Sequence, residues 1–141
     1  IGDKIRLSVA ICQKIIELES LTGNNTGLNL NIALDYSGSY DIIQAVNRVI
    51  ADKILQIDEN DFNKYLLTYP DPHPELLIRT SGESRISNFM LMQLAYSELY
   101  FTNVLWPDFK AKELDKAIHW FSNRERRFGM ISEQLDNANI V

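Results

Sequence analysis

One cysteine, Cys12, stands in 141 residues, which excludes an internal disulfide and makes a reducing cytoplasm the expected compartment. Histidine is nearly as scarce. His73 sits among prolines and His119 on a helical stretch, neither with a companion at ligand spacing, so neither a zinc site nor a nucleophilic triad is indicated. No apolar run approaches the roughly 20 residues of a membrane-spanning helix, and no charged-then-apolar leader opens the chain. Basic charge is short as well. Fourteen Lys and Arg against 19 Asp and Glu leave a net charge of −5, which argues against a nucleic-acid track. There is no opening methionine, and Ile1-Gly2-Asp3 reads as a strand end turning into a helix, as though the chain starts inside a domain.

What is present is ordinary globular material, 45% apolar and 23% charged, enough for one domain over residues 1–141. Ile5, Val9, Cys12 and Ile16 recur at helical steps and predict a helix from Asp3, its N-cap, to Glu19, with Cys12 as a small buried side chain and Gly23-Asn24-Asn25 ending it. Leu28, Leu30, Ile32, Leu34 and Tyr36 alternate with Asn29, Asn31, Ala33 and Asp35, which predicts a two-faced strand. The Ser37-Gly38-Ser39 turn then leads into a helix whose apolar face is Ile42, Ile43, Val46, Val49, Ile50 and Ile54. Strand, glycine turn, helix is an order that suits phosphate.

A short helix is expected over residues 59–67, and the prolines at 70, 72 and 74 then forbid regular structure. Leu76-Leu77-Ile78 predicts a buried strand, residues 88–96 an apolar helix, and Leu99-Tyr100-Phe101 another strand. A last helix has Leu114, Ala117, Ile118 and Phe121 on its face, ends among Arg124, Arg126 and Arg127, and is stopped by Gly129. Alternating strands and helices imply an α/β fold with a mostly parallel sheet flanked by helices, where ligands bind beyond the carboxyl ends of the strands.

The densest chemistry lies in Ile78-Arg79-Thr80-Ser81-Gly82-Glu83-Ser84-Arg85-Ile86-Ser87-Asn88. Two guanidinium forks separated by a Ser-Gly turn and joined by hydroxyls read as an anion clamp for phosphate or diphosphate. A helix starting near Asn88 would add free N–H groups. The bland reading is a pair of surface arginines bridged to Glu75 and Glu83. Glu98, set among apolar neighbours, is either an ion-pair partner for a clamp arginine or a magnesium ligand. Met90, Leu91, Met92 and Leu94 read as core or a dimer interface before a lipid pocket. The run Arg124-Glu125-Arg126-Arg127 is a solvated helix end or a further phosphate contact.

These segments resemble the C-terminal half of cis-prenyltransferases of the bacterial undecaprenyl diphosphate synthase type. The likeness is carried by Asn25-Thr26-Gly27-Leu28 with Leu30-Asn31-Ile32-Ala33, by Ile78-Arg79-Thr80 through Arg85-Ile86-Ser87-Asn88-Phe89, and by Glu98-Leu99-Tyr100-Phe101. Val104-Leu105-Trp106-Pro107-Asp108-Phe109 and Asn123 through Gly129 complete it. The resemblance implies a homodimeric, magnesium-dependent enzyme with a parallel sheet and an apolar tunnel. Such an enzyme condenses isopentenyl diphosphate onto an allylic diphosphate of farnesyl type, delivering a lipid carrier for cell-wall synthesis to the membrane.

It further implies that Arg79, Arg85, Ile86 and Ser87 hold the isopentenyl diphosphate, that Glu98 serves the magnesium, and that Arg127 and Gly129 reach the diphosphate region across the dimer. Two departures stand out. Ser84 replaces a histidine usual in the family, and Asp35 through Tyr40 lacks the arginine of the usual Asn-Tyr-Gly-Gly-Arg turn. The motif Met-Asp-Gly-Asn-Gly-Arg-Trp, with the family's catalytic aspartate, does not occur in this sequence. The chain is therefore expected to be part of a longer polypeptide and inactive alone, the rival expectations being a non-catalytic partner subunit or a dimerisation or phosphate-binding module.

Overall fold

A computed structural model of the chain describes residues 1–125. They fall into two compact units, the first made of Ile1–Glu75 with Arg85–Ser97, the second of Leu76–Ser84 with the chain from Glu98 onward.

In the first unit, α1 runs Val9–Thr22. It starts later than its periodicity suggests because Asp3 Oδ1 accepts from the Ile5 N–H at 2.8 Å, a local turn that competes with helix, and Ser8 Oγ takes the capping role by accepting from the Ile11 N–H at 3.4 Å. No residue of α1 is buried: Val9 and Ile16 are exposed, and Cys12 is half-buried with Sγ 3.7 Å from the Lys4 carbonyl. Residues 28–36 form no strand. Their main-chain hydrogen bonds end on residues 1 and 3: the Ile1 backbone nitrogen donates to the Ile32 carbonyl at 2.8 Å, Leu34 N–H to the Ile1 carbonyl at 2.9 Å and Asp3 N–H to the Asp35 carbonyl at 3.2 Å. The period of two survives in the side chains. Asn29 and Asn31 both donate to the Asp71 carboxylate at 2.5 Å, while Leu28, Leu30 and Ile32 are exposed.

Helix α2, Gly38–Ala51, starts where its turn predicts, with Ser37 as N-cap, and ends before Ile54, the last residue of its expected apolar face. Its buried row, however, is Asp41, Ala45 and Val49, and Ile43, Val46 and Ile50 are exposed. Helix α3 is short, Glu59–Asn63, capped by Asp58. The apolar stretch 88–96 is a series of turns in place of the expected helix. Ser87, Asn88 and Met90 take positive φ of 49°, 60° and 46°, which no right-handed helix allows.

The second unit is a parallel pair of strands, β1 Leu76–Arg79 and β2 Glu98–Phe101, in the register Leu76↔Glu98 to Arg79↔Phe101. Both strands stand where their short apolar runs place them. A 3-10 turn, Trp106–Asp108, carries Pro107 in its first turn, where a missing N–H is harmless. Helix α4, Ala111–Ser122, packs on β2 through the Tyr100 and Trp120 rings, 5.3 Å apart, and buries Ala117. Asn123 ends it, its side chain donating to the His119 carbonyl at 2.7 Å, earlier than the arginine run suggests. Arg126, Arg127 and Gly129 lie outside the described residues. A parallel sheet with helices, an α/β arrangement, is thus observed, with two strands among the described residues.

Candidate substrate and metal site

In the second unit, Arg79 closes β1 at the carboxyl end of the parallel pair. Its side chain is half-buried and makes no hydrogen bond or ion pair among the described residues. A partly desolvated guanidinium without a carboxylate leaves its donors open to an anion. The turn that follows is fixed by main chain alone: Arg79 carbonyl accepts from Thr102 N–H at 2.9 Å, Ser81 N–H donates to Val104 carbonyl at 2.8 Å, and Gly82 N–H to Thr102 carbonyl at 2.9 Å. Ser81 and Gly82 both have positive φ, 69° and 73°, and a Cβ at Gly82 would lie 3.1 Å from Asn103 Oδ1. The carboxyl ends of both strands are thereby tied into one ledge.

Glu98 opens β2 beside Leu76, at the other end of the strands from Arg79, three residues or about 10 Å along the sheet. Its carboxylate accepts from Arg124 Nε at 3.2 Å, and Arg124 in turn lies 5.2 Å over the Trp120 ring. The ion pair expected of Glu98 is therefore present, but with Arg124 instead of a clamp arginine. No group of three or more His, Cys, Asp or Glu side chains is gathered for a metal among the described residues. Magnesium keeps waters and phosphate oxygens and needs only one or two carboxylates, so Glu98 fits as one ligand of a shared site and not as a site by itself.

In the first unit, Arg85 and Ser87 are exposed and Ile86 half-buried. The α2 turn, which has the order of a phosphate cradle, is already filled by protein. Gly38 N–H donates to the Asn88 carbonyl at 2.6 Å, Ser39 N–H to Asn88 Oδ1 at 3.0 Å, and Tyr40 N–H to Ser37 Oγ at 3.2 Å. The N–H groups that would bind an anion are thus spent, and since no helix begins at Asn88, that second source is absent too.

Beneath this contact lies a group that the sequence motifs do not reveal. Asp41 is 1% exposed and its carboxylate accepts from Tyr36 Oη at 3.0 Å, Leu67 N–H at 2.8 Å and Gln93 Nε2 at 2.9 Å. Gln93 also donates to Thr68 Oγ1 at 3.3 Å. Burial first, and the neighbouring Asp41 charge second, push the Tyr36 phenol well above its usual range, so it stays a donor. The signal available in sequence is Asp41 standing four and eight residues before Ala45 and Val49 on one helix face.

A cavity of about 940 Å³ opens between α1 and residues 25–34, lined by Leu7, Ile15, Leu18, Leu28, Leu30 and Ile32 among others. Leu94 is buried in the core and Leu91 partly exposed, neither of them lining it. No helix among the described residues is long and apolar enough to cross a membrane.

The family model described as "Putative undecaprenyl diphosphate synthase" matches residues 1–129. An isoprenyl transferase of Neisseria meningitidis is 54% identical over 135 residues, 96% of this chain and 54% of the relative. A ditrans,polycis-undecaprenyl-diphosphate synthase of Vibrio vulnificus is 50% identical over 141 residues, 96% of this chain and 56% of its own length. Among solved structures, a probable undecaprenyl diphosphate synthase from Campylobacter jejuni superposes with a TM-score of 0.82 at 36% identity, covering 92% of this chain and 61% of that one. The lavandulyl diphosphate synthase of Lavandula x intermedia, solved with dimethylallyl diphosphate, gives 0.87 at 39% identity, covering 92% and 58%. The chain spans about half the length of the curated relatives it matches.

Proposed function

The chain belongs to the undecaprenyl diphosphate synthase family of cis-prenyltransferases, and from that premise we propose that it supplies the isopentenyl diphosphate side of a magnesium-dependent, homodimeric enzyme. That enzyme extends an allylic diphosphate of farnesyl type to undecaprenyl diphosphate in the cytoplasm. The observation that carries the reading is Arg79, half-buried at the carboxyl end of a parallel strand, without an anionic partner among the described residues. In this reading Arg79, Arg85, Ile86 and Ser87 grip and orient the diphosphate, with Arg127 and Gly129 contributing from the segment beyond residue 125. Two arginine forks fix the direction of the bound molecule as well as its charge, which aims its double bond at the carbon to be attacked.

Glu98 is the carboxylate this chain would give to magnesium, in exchange for its ion pair with Arg124. Magnesium, when bound, neutralises diphosphate charge and so eases its departure. The cavity beside α1 is the place for the apolar product chain, its volume within the range of ligand-enclosing pockets. Catalysis in this scheme is positioning and electrostatics, and residues 1–141 by themselves do not turn over.

The test is the gene's complete product, supplied with farnesyl diphosphate, labelled isopentenyl diphosphate and magnesium. Arg79→Ala is expected to lower kcat/KM for isopentenyl diphosphate by on the order of 10²–10³, the loss of one bidentate charged contact. Arg79→Lys recovers little, since an ammonium cannot chelate. Absence of long-chain product from the unsubstituted protein would sink the enzyme reading and leave the partner-subunit one.

A further inference from the structure

Asn88 sits beside the proposed diphosphate ligand Ser87, and it is bound to α2 more tightly than an exposed loop residue needs to be. Its carbonyl takes the Gly38 N–H at 2.6 Å, and its Oδ1 takes both the N–H and the hydroxyl of Ser39 at 3.0 Å each. Five residues on, Gln93 reaches the same helix by donating to Asp41 at 2.9 Å. The segment between is therefore tied to α2 at two points, one on the surface and one buried. Gly38 makes the first tie possible, because a Cβ there would lie 2.7 Å from both the Leu91 backbone nitrogen and its Cγ.

The ties hold a conformation the segment would not keep unaided. Three non-glycine residues in four, Ser87, Asn88 and Met90, are left-handed, a conformation that serine and methionine disfavour more than asparagine does, and their apolar surroundings otherwise favour helix.

We propose that Asn88 is a positioning residue that latches the segment bearing Ser87 onto the first turn of α2, and so sets the isopentenyl diphosphate side of the site without touching substrate. The inference rests on the function proposed above for its choice of substrate, while the latch itself is independent of it. Release of the latch frees Ser87 to move with its backbone, weakening one diphosphate contact and leaving the allylic substrate unaffected.

Two variants of the complete gene product attack the latch from opposite sides. Asn88→Gly keeps left-handed backbone accessible and removes only the Oδ1 acceptor; Gly38→Ala keeps the acceptor and wedges Leu91 away. Each is expected to raise KM for isopentenyl diphosphate about tenfold, with kcat and KM for farnesyl diphosphate within about twofold of the parent. Hydrogen exchange of the Ser39 amide should be slow in the parent, fast in Asn88→Gly, and slow again in Asn88→Asp, which retains Oδ1. An unchanged isopentenyl KM alongside accelerated exchange overturns the positioning role. Equal rises in both KM values, with a falling Tm, overturn it too, as a purely structural effect. A Ser39 amide already fast in the parent removes the latch. A parent that elongates nothing overturns the functional reading and the substrate assignment, whatever the exchange shows.

Discussion

The turn after β1 and the segment bearing Ser87 are both left-handed, both short and both next to a proposed diphosphate ligand, yet they are held by different means. Thr80 to Gly82 is fixed by amide-to-carbonyl bonds to residues 102 and 104, so its positions need to supply left-handed backbone but no particular polar side chain. Residues 86–93 have one main-chain tie, Gly38 N–H to the Asn88 carbonyl, and are otherwise fixed through one asparagine, one glutamine and one buried aspartate. A site built on the first kind of support tolerates change around it, and one built on the second depends on single residues some distance from the ligand.

That contrast is sharpest at Asp41. Asp41→Asn keeps the volume but turns an amide N–H₂ towards a donor, leaving a buried group unpaired, and is expected to cost about 2–4 kcal/mol in urea unfolding. Amides of α2 and of residues 88–94 should exchange faster while those of β1 and β2 hold. Equal acceleration in the strands would erase the distinction between the two supports.

The main-chain support has its own weak point, Gly82, with φ of 73°. Gly82→Ala should cost about 1–2 kcal/mol, read as a lowered Tm, and Gly82→Asn less, since asparagine enters left-handed backbone more readily. If alanine is tolerated without loss, the turn is not held as tightly as its hydrogen bonds imply. The smallest effect is at Arg124. The Arg124 and Glu98 side chains are half-exposed and largely buried respectively, so Arg124→Ala should change stability by no more than about 1 kcal/mol. On the proposed function, however, it should lower the magnesium concentration for half-maximal activity, because Glu98 loses its competitor. A raised requirement would show Arg124 assisting the metal site instead.

The same contrast explains what can be read in the sequence. Leu76 to Ile78 and Leu99 to Phe101 declare their strands through short apolar runs between turns, although β1 is half-buried where a buried strand is expected and Leu99 and Phe101 are exposed. Helix α2 declares its start through Ser37 and its period, but not its inward face, since the buried row is led by a carboxylate that a hydrophobic pattern cannot weigh. Residues 28–36 show a correct alternation without a strand, because a strand is a property of two segments and, among the described residues, only residues 1 and 3 pair with this one through the main chain. The place of Arg79 at a strand end is legible from its neighbours. The Glu98 partner is not, being 26 residues away in the chain, nor is the turn structure of 88–96, which follows from the attachment of Asn88 to a helix 49 residues earlier.

The contact between Gly38 and Leu91 also limits how this sequence can drift. A clash with the Leu91 side chain could be relieved by shortening residue 91, but the backbone nitrogen lies equally close, 2.7 Å from where a Cβ would stand, and no substitution trims a backbone. Position 91 is therefore free to vary in size while position 38 admits no side chain, a one-sided constraint that a library randomised at both positions would reveal.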